Sequence, residues 1–238
     1  MTTLADYKAA ITDLVPGSHP LSAGDLSSVQ ERAIARAIST HSKHRPRVVV
    51  EDEAGTGAFD YDLSASLAAW DETFSSVSSV EYPADDTDEK VSSVDDNEWT
   101  IYEKPTTGKC LRFLEQAPAV GETIRVTYTA PHSCTSLACT VEARDEDAVQ
   151  ALAAGIYAKM LVAAYTLNQD STIKADSVSH GNQAEGFRKL AKDYFQEYWD
   201  HMGIDPEDKK PLPACVIQDM DLDYPGGFDR LTHPRKYR

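Results

Sequence analysis

The most metal-like string in the sequence is DMDLD, in which Asp219, Asp221 and Asp223 alternate with apolar residues. Alternating carboxylates open the calcium-binding loop of the EF-hand, where a glycine and a closing glutamate complete the pattern. Here Tyr224 stands where the glycine is needed, and Arg230 stands where the glutamate belongs. We therefore predict no calcium site and interpret the string as an acidic, solvated stretch.

A second metal-like string, HSCTSLAC, contains His132, Cys134 and Cys139. Imidazole and thiolate are zinc ligands, but this spacing matches no common structural zinc site, and a fourth ligand would have to come from elsewhere in the chain. The other two cysteines, Cys110 and Cys215, are isolated, and no CxxC pair occurs. We predict free thiols and no metal, as expected of a protein made in a reducing cytoplasm.

Carboxylates and histidines could also support acid–base chemistry. Acidic residues cluster at 51–53, 85–89 and 95–98, and paired carboxylates can hydrolyse glycosidic bonds. These clusters lie in polar, loop-like sequence, where carboxylates stay ionised and hydrated. His180 and His201 are further candidates, but no GxSxG, Cys–His, Walker or GxGxxG motif accompanies them. The sequence therefore predicts no catalytic residues, no cofactor and no enzyme.

Two cationic stretches stand out in a chain whose formal net charge is −16. Because an acidic surface repels phosphate, this balance disfavours general nucleic-acid binding. The first stretch, HSKHRPR at residues 41–47, is typical of a helix end, where cations are favourable. The second is the C-terminus, whose last nine residues hold four cations and no acidic side chain. Pairing with acidic protein surface is the favoured interpretation of this end, and a DNA contact is the alternative.

Helical periodicity predicts four helices around these residues. They span residues 4–15, about 25–41, 147–168 and about 182–202. Thr3 and Asp25 are the expected N-caps of the first two, and Gly203 is the expected stop of the last. The third helix is alanine-rich and apolar nearly all round, which indicates packing on several sides.

The segment between the second and third helices has the alternation of β-strands. Period-two patterns occur at 59–63, 99–102 and 124–128, and residues 48–50 form a β-branched run. Polar, turn-rich pieces separate them. The pattern predicts an antiparallel sheet or sandwich of about six or seven strands.

The predicted fold class is α+β: a four-helix bundle, an inserted antiparallel β-domain and an extended C-terminal arm. The predicted divisions are 1–46 and 143–204 for the helices, 47–142 for the β-domain, and 205–238 for the arm. The arm is rich in Pro and Gly, so it either lacks order or becomes ordered against a partner. The N-terminus has no apolar signal region and no run of about 18 apolar residues occurs, so we expect no membrane association.

Several pieces of the chain resemble the head-to-tail connector proteins of tailed bacteriophages, also called adaptor or head-completion proteins. They are STHSKHRP, FSSVSSVEYPADD, DSTIKADSVSHGNQAEGFRKLAKDYFQEYW and GFDRLTHPRKYR. The VEYPA element and the basic LTHPRKYR end are the most specific. The helices around SVSHGN resemble the adaptor bundle that docks under the portal, and the inserted β-domain departs from the purely helical small adaptors.

The resemblance implies a non-enzymatic structural subunit in the neck of the virion, made in the host cytoplasm. It implies a ring, commonly of twelve copies, that joins the portal to the tail or a tail-completion protein. Genomic DNA would pass through the channel without specific binding during ejection. For partner binding by the arm we single out Tyr224, Phe228, Arg230, Leu231, Arg235, Lys236, Tyr237 and Arg238.

Two other functions stay open at this point. The chain could be a carbohydrate- or protein-binding module, with Trp70 and Trp99 lining a groove on the β-domain. It could also be a hydrolase that uses the acidic clusters or His180. Burial of the two tryptophans would count against the first alternative.

Overall fold

The structure is a computed structural model, and it describes residues 2–17, 22–84, 94, 98–105, 108–167 and 180–205. Contacts along the chain divide it into two units, Met1–Met202 and Gly203–Arg238. The helices and strands of the described residues all belong to the first unit. Most of the predicted arm, from residue 206 onward, lies outside the described residues.

The described part of the first unit contains five helices and six strands, which confirms the α+β class. The helices are α1 Leu4–Leu14, α2 Ala23–His44, α3 Leu63–Ser66, α4 Glu146–Leu167 and α5 His180–Met202. The strands are β1 Arg47–Ala54, β2 Asp60–Asp62, β3 Val77–Glu81, β4 Trp99–Lys104, β5 Gly108–Phe113 and β6 Thr123–Ala130. These strands lie within 47–142 and the four long helices lie outside it, while the four-part division of the chain stays a prediction.

The first helix begins as the sequence predicts. The Thr3 hydroxyl accepts a hydrogen bond from the Asp6 backbone N–H, and the Asp6 carboxylate accepts one from the Thr3 N–H at 2.8 Å. This reciprocal pair satisfies two of the N–H groups that a helix start leaves without partners. Thr3 is therefore confirmed as the N-cap of α1.

The prediction of Asp25 as the cap of the second helix is wrong. The helix starts two residues earlier, and Ser22 is the N-cap, whose hydroxyl accepts from the Asp25 N–H. Both residue types cap well, and the local pattern alone did not distinguish them. The far end of the last helix is as predicted, because α5 stops at Met202 and Gly203 has a φ of 63°.

The strands form two three-stranded antiparallel sheets, whereas the sequence pattern left both a single sheet and a sandwich open. Their orders are β1–β6–β3 and β2–β5–β4. In β6 burial alternates strictly, so that Ile124, Val126 and Tyr128 point into the core, as the alternation predicts. Phe59 differs from its expected partners: Tyr61 is buried, whereas Phe59 is 51% exposed. Phe59 lies directly before β2, and its backbone oxygen accepts a hydrogen bond from the Phe113 N–H.

The helices and the sheets have separate hydrophobic clusters. Side chains from α1, α2, α4 and α5 share the larger one, to which Tyr7, Ile34 and Leu161 contribute fully buried side chains. The sheets enclose the smaller one, around Leu111 and Tyr128. Each region therefore buries its own apolar surface, which is the main driving force for folding.

Helix α4 is the centre of the helical cluster. Its Glu146–Tyr165 stretch is long and apolar enough to cross a membrane by length and composition, with a mean hydropathy of 1.4, and 67% of that window is buried inside the protein. Gly155 lets α5 approach closely: a Cβ there would lie 3.0 Å from a ring carbon of Phe195. A central helix of a folded protein has this same apolar character.

Candidate functional site

The eight arm residues singled out for partner binding, from Tyr224 to Arg238, all lie outside the described residues. The DMDLD string and Cys215 lie there too, as do the acidic residues of 85–89 and 95–97. The arm site and its partners therefore stay predictions. The described chain does place the remaining candidates, and it brings some of them together.

The HSCTSLAC string contains a disulfide, so the prediction of free thiols is wrong there. Cys134 and Cys139 face each other across an isolated antiparallel bridge and are bonded through their sulfurs. Opposed residues of an antiparallel pair lie within the Cα separation that a disulfide spans, and the Thr135–Ala138 turn brings these two into opposition. The His132 ring already has hydrogen-bond partners, because its two nitrogens each lie 3.0 Å from a backbone oxygen, that of Thr140 and that of Arg45. Within the described ranges no group of three or more His, Cys, Asp or Glu side chains could hold a metal ion.

The acidic cluster at 51–53 lies on strand β1 and has structural partners. Asp52 receives two hydrogen bonds from the Arg125 guanidinium, at 2.8 and 3.0 Å, and these lower the pKa of the Asp52 carboxyl. Glu51 accepts a hydrogen bond from the backbone N–H of Ala68. The two carboxylates therefore stabilise the fold of the strand region.

The polar cluster that the sequence reasoning missed is centred on Asp145. This side chain is fully buried just before α4, and its Oδ1 lies 2.5 Å from Arg45 Nη1 and 2.9 Å from His201 Nε2. On the other side of the carboxylate, Oδ2 faces His41 Nε2 at 3.7 Å. Of the histidines considered for catalysis, His201 thus belongs to this cluster, whereas the side chain of His180 lies outside the described residues.

Tyr198 extends the cluster to the C-terminal end of α2. The Tyr198 hydroxyl lies 3.4 Å from His41 Nδ1 and 3.1 Å from His44 Nδ1. The chain Asp145–His41–Tyr198 has the residue types of a proton relay from carboxylate to imidazole to hydroxyl. Asp145, His41 and Tyr198 are all fully buried, so a substrate has no route to the reacting atoms.

Burial dominates the ionisation of these groups. It lowers the pKa of His41 to about 4, with nearby His132 adding to the effect, so the imidazole is neutral at pH 7. Burial raises the pKa of the Tyr198 hydroxyl far above its usual value. For Asp145, burial acts to raise the pKa, but hydrogen bonds from His201 and Arg45 outweigh it and the carboxyl pKa is lowered. A neutral imidazole beside a paired carboxylate joins α2, the start of α4 and α5 without an uncompensated charge.

The two tryptophans proposed for a binding groove are half-buried against the core of the sheets. Trp70 packs against the ring of Tyr128, with centroids 5.6 Å apart, and the indole nitrogens of Trp70 and Trp99 are both inaccessible to solvent. Sugar-binding grooves present aromatic faces to solvent, so this packing counts against the carbohydrate-module interpretation.

Charge is divided unevenly between the two regions. Residues 47–142 hold nineteen acidic and six basic side chains, a net of −13. Residues 1–46 and 143–204 together hold thirteen acidic and eleven basic ones, a net of −2. The acidic character of the chain therefore belongs mainly to the segment that contains the sheets, and it leaves cationic surface on the helices.

No family model matches the chain, and no curated protein matches it. Two similar solved structures are the neck of an empty GTA particle, computed with C6 symmetry, and the neck of a native GTA particle, computed with C12 symmetry. The first is 19% identical with a TM-score of 0.27, and the match covers 79% of this chain and 89% of the other. The second is 16% identical with a TM-score of 0.26, covering 76% and 86%. Both are particle-neck structures, and at these TM-scores the likeness does not define a common fold.

Proposed function

We propose that the protein is a structural subunit of a phage-like particle neck, where an oligomeric ring joins the portal to the tail and lines the DNA channel. The observation that carries the proposal is the set of connector-like sequence pieces and their positions in the fold. STHSKHRP forms the last turns of α2 and the turn into β1, VEYPA closes β3, and FRKLAKDYFQEYW lies in α5. The pieces therefore occupy both regions of the molecule.

The character of the polar groups supports a structural role. Asp145, His41 and Tyr198 are fully buried and closed to substrate, and Arg45 and His201 hold the carboxylate from one side. The cysteines of HSCTSLAC are joined in a disulfide, and the carboxylates of β1 pair with Arg125 or bind backbone. Glu51, Asp52, His132 and His201 thus have structural partners within the chain.

The charge division supports a role beside DNA. A segment with a net charge of −13 repels phosphate, which suits a wall past which DNA slides without binding. The same acidic surface is a natural partner for the basic C-terminus of a neighbouring copy. In this proposal Arg230, Arg235, Lys236 and Arg238 pair with acidic surface on a neighbour or the portal, while Leu231 and Tyr237 insert between apolar side chains.

Particle size tests the ring directly. The purified protein, alone and mixed with its portal protein, is examined by sedimentation velocity and by electron microscopy of negatively stained particles. We expect annular particles, commonly with twelve copies, either alone or only on the portal. A protein that stays monomeric in both samples and is missing from purified particles contradicts the proposal.

A truncation tests the arm. Deletion of residues 229–238 is expected to impair ring assembly or portal docking while the thermal unfolding midpoint stays the same. Two full-length variants separate the contributions: one replaces the four cations of the arm by Ser, and the other carries Leu231→Ala and Tyr237→Ala. Normal assembly of the truncated protein into infectious particles would show that residues 229–238 are not an assembly contact.

A further inference from the structure

The helices carry an apolar groove with cationic walls. It lies between α4 and α5 and has a volume of about 640 Å³. Val162, Ala163 and Phe195 form its floor, and Lys159, Arg188 and Lys192 line its walls. A second depression of about 750 Å³, between α2 and α4, continues it and shares Lys159, Ala163 and Phe195.

The charge of this groove is opposite to that of the chain. The second depression adds Arg36 and Lys43 from α2, and no carboxylate lines either half among the described residues. Helix α2 has no acidic residue after Glu31, and α4 has none after Asp147. None of the five cations forms an ion pair with a carboxylate of the described chain. A partly exposed apolar floor between cations that have no carboxylate partner in the described parts of the chain is the surface expected for an acidic, partly apolar partner.

We propose that this groove binds the acidic segment of residues 216–224 from a second copy of the chain. That segment reads VIQDMDLDY, in which Asp219, Asp221 and Asp223 alternate with Met220, Leu222 and Tyr224. In an extended chain alternate side chains point to opposite sides, so the segment has one acidic and one apolar side. The apolar side matches the groove floor, and the flexible stems of Lys and Arg let their charges reach the carboxylates.

The spacings agree as well. Arg188 and Lys192 are four residues apart on α5, which places them about 6 Å apart along the helix axis. Alternate residues of an extended strand repeat at about 6.6 Å. An extended segment that runs along α5 therefore meets successive cations with successive aspartates.

The chain is long enough for this contact. Thirteen residues separate Met202, the end of α5, from Val216, and thirteen residues can span up to about 45 Å. The segment of one copy can thus reach the groove of a neighbour, as head-to-tail assembly requires. The inference rests on the proposed ring. It assigns the groove contact to residues 216–224, whereas the basic C-terminus contacts a separate, acidic surface.

A peptide assay tests the groove without any ring. The probe is a fluorescein-labelled peptide of residues 216–228. Its anisotropy is measured on the full-length chain carrying Asp219→Ser, Asp221→Ser and Asp223→Ser, whose own neutral segment competes neither for the native groove nor for its variants. We expect saturable binding that weakens as salt is raised. Adding Arg188→Glu and Lys192→Glu to the receptor is expected to weaken binding by about tenfold or more, because attraction becomes repulsion.

The matched control is Lys189→Glu, which changes the same charge on an exposed residue of α5 that does not line the groove. It is expected to alter binding by less than about twofold. Equal weakening by the control and the groove variant, or no binding of the peptide, overturns the proposal. A labelled DNA duplex that binds the same receptor and loses binding with Arg188→Glu and Lys192→Glu also overturns it, in favour of a nucleic-acid groove.

A charge exchange tests the contact between copies. The groove variant Lys159→Glu, Arg188→Glu, Lys192→Glu and a segment variant Asp219→Lys, Asp221→Lys, Asp223→Lys are each expected to lose self-association. Mixing them is expected to restore it, because each supplies the charge that the other lacks. A chain that forms rings regardless of these changes overturns the groove assignment alone, whereas a chain that forms no ring with its portal overturns the proposed function.

Discussion

The helical region and the strand region of this protein solve the same folding problem with different residues. The helices pack small side chains closely, as at Gly155, and place one carboxylate, Asp145, fully inside. The strands use aromatic and β-branched side chains and keep their carboxylates at the surface, as in the pair of Asp60 with Arg112. The comparison teaches that a charged side chain in the helical region is paired inside the protein, whereas the charged pairs of the strand region are solvated at the surface.

The largest expected effect comes from the buried carboxylate. Asp145→Ala leaves Arg45 and His201 without their partner and is expected to lower the free energy of unfolding by about 4 kcal/mol. Urea denaturation measures it. The matched control is Asp147→Ala two residues later on the exposed face of α4, expected to cost less than about 1 kcal/mol. Similar costs at both positions would mean that the burial of Asp145 does not determine its contribution to stability.

A pair of matched core substitutions tests whether the two clusters are energetically separate. Leu161→Ala in the helical cluster and Leu111→Ala in the strand cluster each remove a fully buried leucine, at an expected cost of about 3 kcal/mol. Fluorescence of Trp199 reports on the helices, and that of Trp70 and Trp99 reports on the strands. We expect Leu111→Ala to lower the midpoint of the strand signals more than that of Trp199.

The fluorescence of each region is measured in a background that lacks the tryptophans of the other. Trp70→Phe with Trp99→Phe leaves only Trp199, and Trp199→Phe leaves only Trp70 and Trp99. Coincident shifts of both signals for both leucine variants would mean that the two regions unfold as one cooperative unit. The separate clusters would then be a matter of geometry and not of energetics.

Acid is expected to destabilise the helical region through His41. Its pKa is about 4 when folded and near 6.5 when unfolded, so between these values the unfolded chain binds more protons and stability falls as the pH is lowered. The expected loss between pH 7.5 and pH 5 is about 2 kcal/mol, measured by urea denaturation at each pH. His41→Gln should flatten this dependence, and an unchanged slope in that variant would exclude His41 as its source.

The smallest expected effect is at the surface of the sheets. Hydrogen bonds from Arg112 and then Lys104 hold the pKa of the Asp60 carboxyl well below its usual value, but the group is solvated. Asp60→Asn is expected to cost roughly a quarter of the Asp145 effect or less, and the cost should shrink as salt is raised. Thermal unfolding at low and high salt measures it. A large, salt-independent loss would place Asp60 in the same class as Asp145.

Local patterns were enough for the features that depend on neighbouring residues. The Thr3 cap, the stop at Gly203 and the alternation of β6 all follow from contacts within a few positions, and each is present. The prediction of Asp25 as a cap failed because Ser22, three residues earlier, is also a good N-cap residue and takes that position. The pairing of Cys134 with Cys139 needed the turn between them to bring the sulfurs together.

What the sequence by itself determined is the alternation of helix and strand, the α+β class and the uneven distribution of charge. These depend on periodicity and composition, which are properties of short windows. The tertiary structure alone decided the division into two sheets, the cluster in which Arg45, Asp145 and His201 meet, and the cationic groove along α4 and α5. Each of these joins residues that are distant in the chain, and only the packing of complete elements brings such side chains within contact distance.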